Sequence, residues 1–437
     1  MPLADGTLKA LRADAAGQTF EPVDIEAGMR PLLRALAALL VETLATQVDG
    51  GRVNNRHVCP CGKHYRFVRK QKRWFGFLFG QVQPARAMYR CRDCCRTRIP
   101  LEQVWGLQRG PYAVGRRYLA PHAQQALAKL CAALPYREAC RHFCELTGLE
   151  VSVMQAWRLV QHLGEQLQEE VKREGRLLEQ ARVANAAVRR WFIGADGAMV
   201  AFWKGGKQQR RRTKRGERAR KNGIVWREVK VGVIAQLNAR GGVIRGSQVY
   251  LVALLPAARF RIRLSRMARQ CGVRPGEVVA LVTDGAKWLR ALWSRHFPDA
   301  VAIRDFYHAV EHLGAMAVAL YGEGHQFVSR WQRQMASRLK RGELPALLAE
   351  WEQPRRKPKE WHTWQREIHY FRSQQEAMAY DKFREAKLPI GSGVVESGCK
   401  NTVGTRFKRP GARWSAQGFH NLAPLRARYC SGEPLMP

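Results

Sequence analysis

Three acidic residues stand in unusual settings. Asp196 interrupts the apolar run "WFIGADGAMVAFW", with a Gly-Ala pair on either side. Asp284 follows the apolar run "VVALVT". Glu396, in "PIGSGVVESGCK", is the only acid from Ala386 to Gly432, a segment with eight Lys or Arg. An acid buried without a partner costs on the order of several kcal/mol, so Asp196 and Asp284 each ask for a compensating positive charge. A divalent metal is one such compensator. Capping of a following helix accounts equally well for Asp284 taken alone. Three hard oxygen donors suit two Mg²⁺ (or Mn²⁺) ions, which keep waters and engage phosphates. Two such ions about 3.5–4 Å apart stabilise the attacking and leaving oxygens of a phosphodiester.

The cysteines are the second chemical group. Of eleven, five fall between Cys59 and Cys95. Cys91-Arg92-Asp93-Cys94 has the spacing of a zinc knuckle. The first half is ambiguous. Cys59-Pro60-Cys61 has one intervening residue, and Cys61-Gly62-Lys63-His64 offers a pair with two. Structural Zn²⁺ is expected, with the first-half ligands drawn from Cys59, Cys61 and His64; a relic knuckle without metal is the alternative. The other cysteines lie mostly in apolar-periodic segments and read as small core residues.

Elements must position these groups. Residues 1–50 end in a helical segment, and 56–100 hold the cysteines among short alternating strands. Residues 112–185 read as helical. Within them a helix from Pro135 to Leu146, a turn at Thr147-Gly148, and a second helix capped by Ser152 with Gln155 give a helix-turn-helix outline. Gln155, Arg158 and His162 are expected to face outward for DNA, with Val153, Trp157 and Val160 nearer the core; an ordinary helical hairpin is the alternative. Residues 190–320 give three strands, then strand–helix alternation, an α/β pattern with a mixed sheet. Residues 321–387 read as a helical insertion, and 388–430 return with the Glu396 helix and a basic tail. This is the order of a ribonuclease-H-like domain: one acid on the first strand, one at the end of the fourth, and one on a late helix.

Composition points to a polyanionic partner. Lys plus Arg number 75 against 36 Asp plus Glu, a net charge of +39. Nucleic acid answers such an excess because neutralised phosphates release counterions. Ten Lys or Arg crowd Lys204–Lys221. A hairpin there starts beside Asp196, so Lys207, Arg210, Arg211, Arg212, Lys214 and Arg215 are expected to clamp DNA; a solvated hairpin is the plain alternative. Lys287, Lys400, Arg406, Lys408, Arg409, Arg413 and Trp414 are further expected contacts, the last two by charge and stacking. No run of about 18 apolar residues and no signal-peptide pattern is read, so no membrane association and a cytoplasmic, nucleoid-associated protein are expected.

The motifs "GADGAM", "VTDGAKW", "DFYHAVEHL", "PIGSGVVESGCK" and "GTRFKRPGARWS" occur in that order. Together they resemble the DDE transposases of bacterial insertion sequences, and among them the Kra-type family. The resemblance implies that Asp196, Asp284 and Glu396 form a catalytic triad. It implies that Asp305 and His308, in Asp305-Phe306-Tyr307-His308, support the site. It also implies a zinc ribbon ahead of the catalytic domain and a helical insertion before the glutamate. Glu396 follows Asp284 by 112 residues and Asp284 follows Asp196 by 88, so the longer interval holds the insertion. The activity implied is binding of double-stranded DNA at terminal inverted repeats, metal-dependent cleavage, and strand transfer by a homodimer or larger assembly. A ribonuclease-H-like nuclease or resolvase, and a DNA-binding regulator without catalysis, are the rival readings.

Overall fold

A computed structural model describes residues 22–49, 57–105, 113–114, 117–177, 189–203, 223–285, 288–289 and 295–436. The chain is mixed α/β and forms two compact units, Met1–His162 and Leu163–Pro437.

The first unit begins with helix α1 (Pro22–Asp49). Seven short strands follow: β1 (Tyr65–Lys72), β2 (Trp74–Phe77), β3 (Gly80–Val82), β4 (Ala85–Cys91), β5 (Thr97–Arg98), β6 (Ala113–Val114) and β7 (Arg117–Leu119), with α2 (Pro100–Val104) between β5 and β6. They make two sheets, ordered β1-β4-β5 and β3-β2-β7-β6. Within α1, Gly28–Val48 is long and apolar enough to cross a membrane by length and composition, which departs from the expectation of no such stretch. The helix carries Arg34 and Glu42, and Glu42 accepts the Gln83 backbone N–H at 3.2 Å.

Helices α3 (Pro121–Ala133), α4 (Tyr136–Thr147) and α5 (Val153–Leu177) complete the first unit, the boundary falling inside α5. The local signals explain α4 and α5. Pro135 stands just before the first turn of α4, and Gly148 ends it in the left-handed conformation. Ser152 and Gln155 form a reciprocal capping box: Gln155 N–H donates to Ser152 Oγ (3.2 Å), and Ser152 N–H to Gln155 Oε1 (2.9 Å). Val160 is buried as expected, but the rest of the core face of α5 differs from the expected one. Ala156, Leu159 and Val160 are buried, whereas Val153 and Trp157 are exposed. The apolar Val153 and Trp157 near the start of α5 lie on its outer face.

The second unit is built on one five-stranded sheet: β8 (Arg190–Trp203), β9 (Ile224–Gln236), β10 (Val249–Ala253), β11 (Val278–Thr283) and β12 (Val301–Arg304). Its order is β10-β9-β8-β11-β12. The first three strands are antiparallel, and β11 runs parallel to both β8 and β12. Alternation gives the sheet two buried faces. On one, Trp191, Ile193 and Leu281 pack under helix α6 (Ala257–Gln270) through Phe260 and Leu264. On the other, Phe192, Val233 and Val282 pack under α7 (Phe306–Tyr321).

The expected helical insertion is α8 (Val328–Lys340), α9 (Leu344–Glu352), α10 (Trp361–Ser373) and α11 (Tyr380–Glu385). Its core is continuous with that of α7. Trp331, Trp351 and Trp364 cluster at ring separations of 6.0–6.4 Å, and the Trp364 indole N–H donates to the Trp351 carbonyl. His312 on α7 meets buried Glu367 on α10 at 2.6 Å. The chain then returns to the sheet through α12 (Gly393–Cys399), a π turn over Lys400–Gly404, α13 (Thr405–Phe407) and α14 (Ala416–Ser431).

Candidate functional site

Asp196 and Asp284 come together by register. Val282 pairs with Gly194 in the parallel β8–β11 ladder, so two residues on, Asp284 stands level with Asp196. Adjacent strands lie about 4.8 Å apart, and both carboxylates project from the sheet face that packs under α7. The proximity is felt electrostatically. Burial pushes the Asp196 carboxyl above its usual range, and the charge of Asp284 adds to the shift against a hydrogen bond from Gly197 N–H. An acid disfavoured by burial and by a like charge is a place where a cation is stabilising.

Helix α12 brings the third acid. It can lie this close because glycines clear its path. A Cβ on Gly194 would sit 2.3 Å from Val395 Cγ2, and one on Gly398 would sit 2.9 Å from the Tyr250 ring. Val395, next to Glu396, is thereby buried against β8. Glu396 lies in the first turn of α12, exposed and paired with Lys400 Nζ at 2.9 Å. One turn further on, the Cys399 thiol donates to Asp196 Oδ2 at 3.8 Å, so the Glu396 helix touches the first acid directly. Burial pushes that thiol up to about 12, with the charges of Asp196 and Glu396 acting in the same direction.

Asp305 caps α7 by accepting Tyr307 N–H (2.9 Å), and it also accepts the Ser392 hydroxyl. Phe306 N–H donates to the Ile390 carbonyl at 2.9 Å. The "PIGSG" turn that opens α12 is therefore latched to the start of α7. His308 takes no part in this. It pairs with Glu311 at 3.1 Å, and the tie to the insertion runs through His312, four residues on.

The basic tail divides. Lys400 and Lys408 are exposed. Arg413 is exposed and lies 5.3 Å over the Trp203 ring. Arg409 is half-buried and donates to the Thr405 carbonyl. Arg406 corrects the expectation of a DNA contact: it is 3% exposed, its guanidinium 5.1 Å over the Trp414 ring. Trp414 is likewise built into the fold. Its indole donates to the Phe407 carbonyl, and its backbone pairs with Ala201 and Trp203 at the end of β8. Lys207, Arg210, Arg211, Arg212, Lys214, Arg215 and Lys287 lie outside the described residues. On α5, Arg158 is exposed while Gln155 and His162 are half-buried.

In the first unit, Cys59, Cys61, Cys91 and Cys94 bring their sulfurs within 4.8 Å of one another. Pairs stand at 3.3 Å (Cys59–Cys94) and 3.5 Å (Cys61–Cys91). A tetrahedral zinc with Zn–S near 2.3 Å has S···S edges of about 3.8 Å, so the cluster has the size and donor softness for such a metal. Each pair sits on a tight turn: Gly62 N–H donates to the Cys59 carbonyl, and Cys91 N–H to that of Arg96. His64, offered by sequence as a ligand, is exposed and outside the cluster. The one-residue spacing of Cys59 and Cys61 is the one the fold uses. Among the described residues this is the only gathering of three or more such ligands; Asp196, Asp284 and Glu396 are not drawn in to that spacing.

Sequence reasoning missed Cys399 and Ser392. Both lie inside the motif that carries Glu396; helical spacing sets Cys399 one turn on, but nothing local shows that this turn meets Asp196. No family model matches the chain, and no curated protein matches it.

Proposed function

We propose that this protein is a DDE-type transposase that acts on double-stranded DNA through Asp196, Asp284 and Glu396. One observation carries the reading. Asp196 lies on the central first strand and Asp284 at the end of the neighbouring fourth, while Glu396 rides a helix packed across the first. The strand order β10-β9-β8-β11-β12, three antiparallel strands followed by two parallel ones, is that of a ribonuclease-H-like domain and supports that assignment. The latched turn and the helical insertion between Asp284 and Glu396 fit the same reading.

The donor set suits hard divalent cations such as two Mg²⁺ or Mn²⁺, held by Asp196, Asp284 and Glu396. When bound, such ions stabilise the attacking and leaving oxygens of phosphodiester cleavage and transfer. The chain's own groups prepare for this. Cys399 orients one oxygen of Asp196, and Gly197 N–H holds the other at 2.6 Å. Lys400 holds Glu396 at the surface and must release it when the site fills. The cysteine cluster would carry a structural Zn²⁺, and α4–α5 would read the transposon end.

The test is a pair of conservative variants. Asp196→Asn and Glu396→Gln are each expected to lose Mg²⁺-dependent cleavage of DNA carrying the element's ends, while binding to that DNA stays within a few-fold of wild type. Cleavage retained in either variant overturns the assignment.

A further inference from the structure

Helix α6 lies against the sheet face opposite the acids, and it is unusually basic. It carries five arginines and no acid. Arg259, Arg263 and Arg266 recur at four and three residues, which sets them on one side of the helix. That side lines a cleft of about 1380 Å³ that opens along the edge strand β10, between α6 and α14. A pocket for a small ligand is typically about 300–1000 Å³, so the cleft exceeds that class.

The charges in the cleft are unevenly compensated. Its two acids, Glu170 and Glu433, both approach Arg428, at 3.0 and 3.8 Å. Among the described residues no acid pairs with Arg259, Arg263 or Arg266. Arg263 is half-buried, and burial alone pushes its guanidinium below the usual arginine range. A charge desolvated beside a large open cleft, with no partner to offset it, favours an anionic ligand. From Arg259 to Arg266 the helix rises about 10.5 Å, so the three guanidinium groups are strung along a line rather than gathered at a point. Of the two aromatic residues in the lining, Trp191 is 1% exposed and Tyr250 is half-buried with its ring against Gly398, so no fully exposed ring faces the cleft. The chemistry favoured is thus the backbone of a polynucleotide rather than a free nucleotide.

We infer that the α6–β10–α14 cleft is a second nucleic-acid site, binding a phosphodiester backbone through Arg259, Arg263 and Arg266 independently of the strand held at the acids.

The experiment uses the full chain, its Arg259→Gln/Arg266→Gln variant, and a duplex of about 20 base pairs of unrelated sequence. Both substituted residues are exposed, so the fold should persist, and an unchanged melting temperature checks this. The salt dependence of duplex binding is expected to lose about 1.8 from its log–log slope, about 0.9 for each phosphate contact removed. Hydrogen exchange should slow in α6 when duplex is added to wild type, and should not slow in the variant. An unchanged slope overturns the inference. So does α6 protection by inorganic pyrophosphate equal to that by duplex, which would mark a small-anion pocket. An Asp196→Asn background is expected to leave the α6 effect intact, which separates failure of this site from failure of the proposed catalysis.

Discussion

At the scale of single residues, the candidate site depends on small side chains as much as on acids. Gly194 permits Val395, and with it Glu396, to approach β8. Gly194→Ala places a Cβ 2.3 Å from Val395 Cγ2 and must displace α12. The expected result is loss of cleavage by an order of magnitude or more, with DNA binding within a few-fold of wild type, read by parallel gel assays. Cleavage at the wild-type rate would mean that the seat of α12 does not position Glu396. The two aspartates were legible because an acid inside an apolar run asks for an explanation. The thiol of Cys399 was not, since a lone cysteine in a small-residue stretch looks like packing until its strand partner is known. Arg406 was misassigned for a related reason. A charge count marks basic segments, and only packing tells which guanidinium lies over Trp414 and which faces solvent.

At the scale of elements, α7 and α10 are tied by the buried carboxylate of Glu367, hydrogen-bonded to the His312 ring. Glu367 is 3% exposed; burial pushes its carboxyl up, but the hydrogen bonds from His312 and Arg366 outweigh it and leave it below the usual range. A depressed carboxyl stabilises the fold above its unfolded value of 4.5, and that stability is lost as pH falls through the folded value. Glu367→Gln should therefore cost about 1.5 kcal/mol near neutrality. The gap to wild type should close as pH falls below 4.5, read by thermal melts across pH. A gap constant with pH contradicts the account of a stabilised Glu367 carboxylate. The cysteine cluster makes a separate prediction. Purified protein should carry about one zinc per chain, and Cys91→Ser with Cys94→Ser should lose it; protein without zinc defeats that role. Most elements were legible from capping residues and apolar period: α4 begins at Pro135 and ends at Gly148, and α5 begins at the Ser152–Gln155 box. The inner face of α5 and the use of Cys61 over His64 were not, because each is settled by tertiary contacts rather than by local pattern.

At the scale of the molecule, the sheet order and the charge point the same way. On the proposed reading, a net charge of +39 would draw the chain to a polyanion, and the acids at the sheet's centre would take a cation. DNA held near a divalent metal satisfies both demands. Chemistry that both cuts and rejoins separates this account from a nuclease with the same fold, so the deciding measurement is strand transfer. Protein, Mg²⁺, a duplex ending in the element's terminal repeat and a supercoiled plasmid are incubated together, and covalently joined product is counted by sequencing the junctions. The account predicts joined ends with wild-type protein and none with Asp284→Asn. Cleavage without joining, or joining that persists in Asp284→Asn, contradicts it.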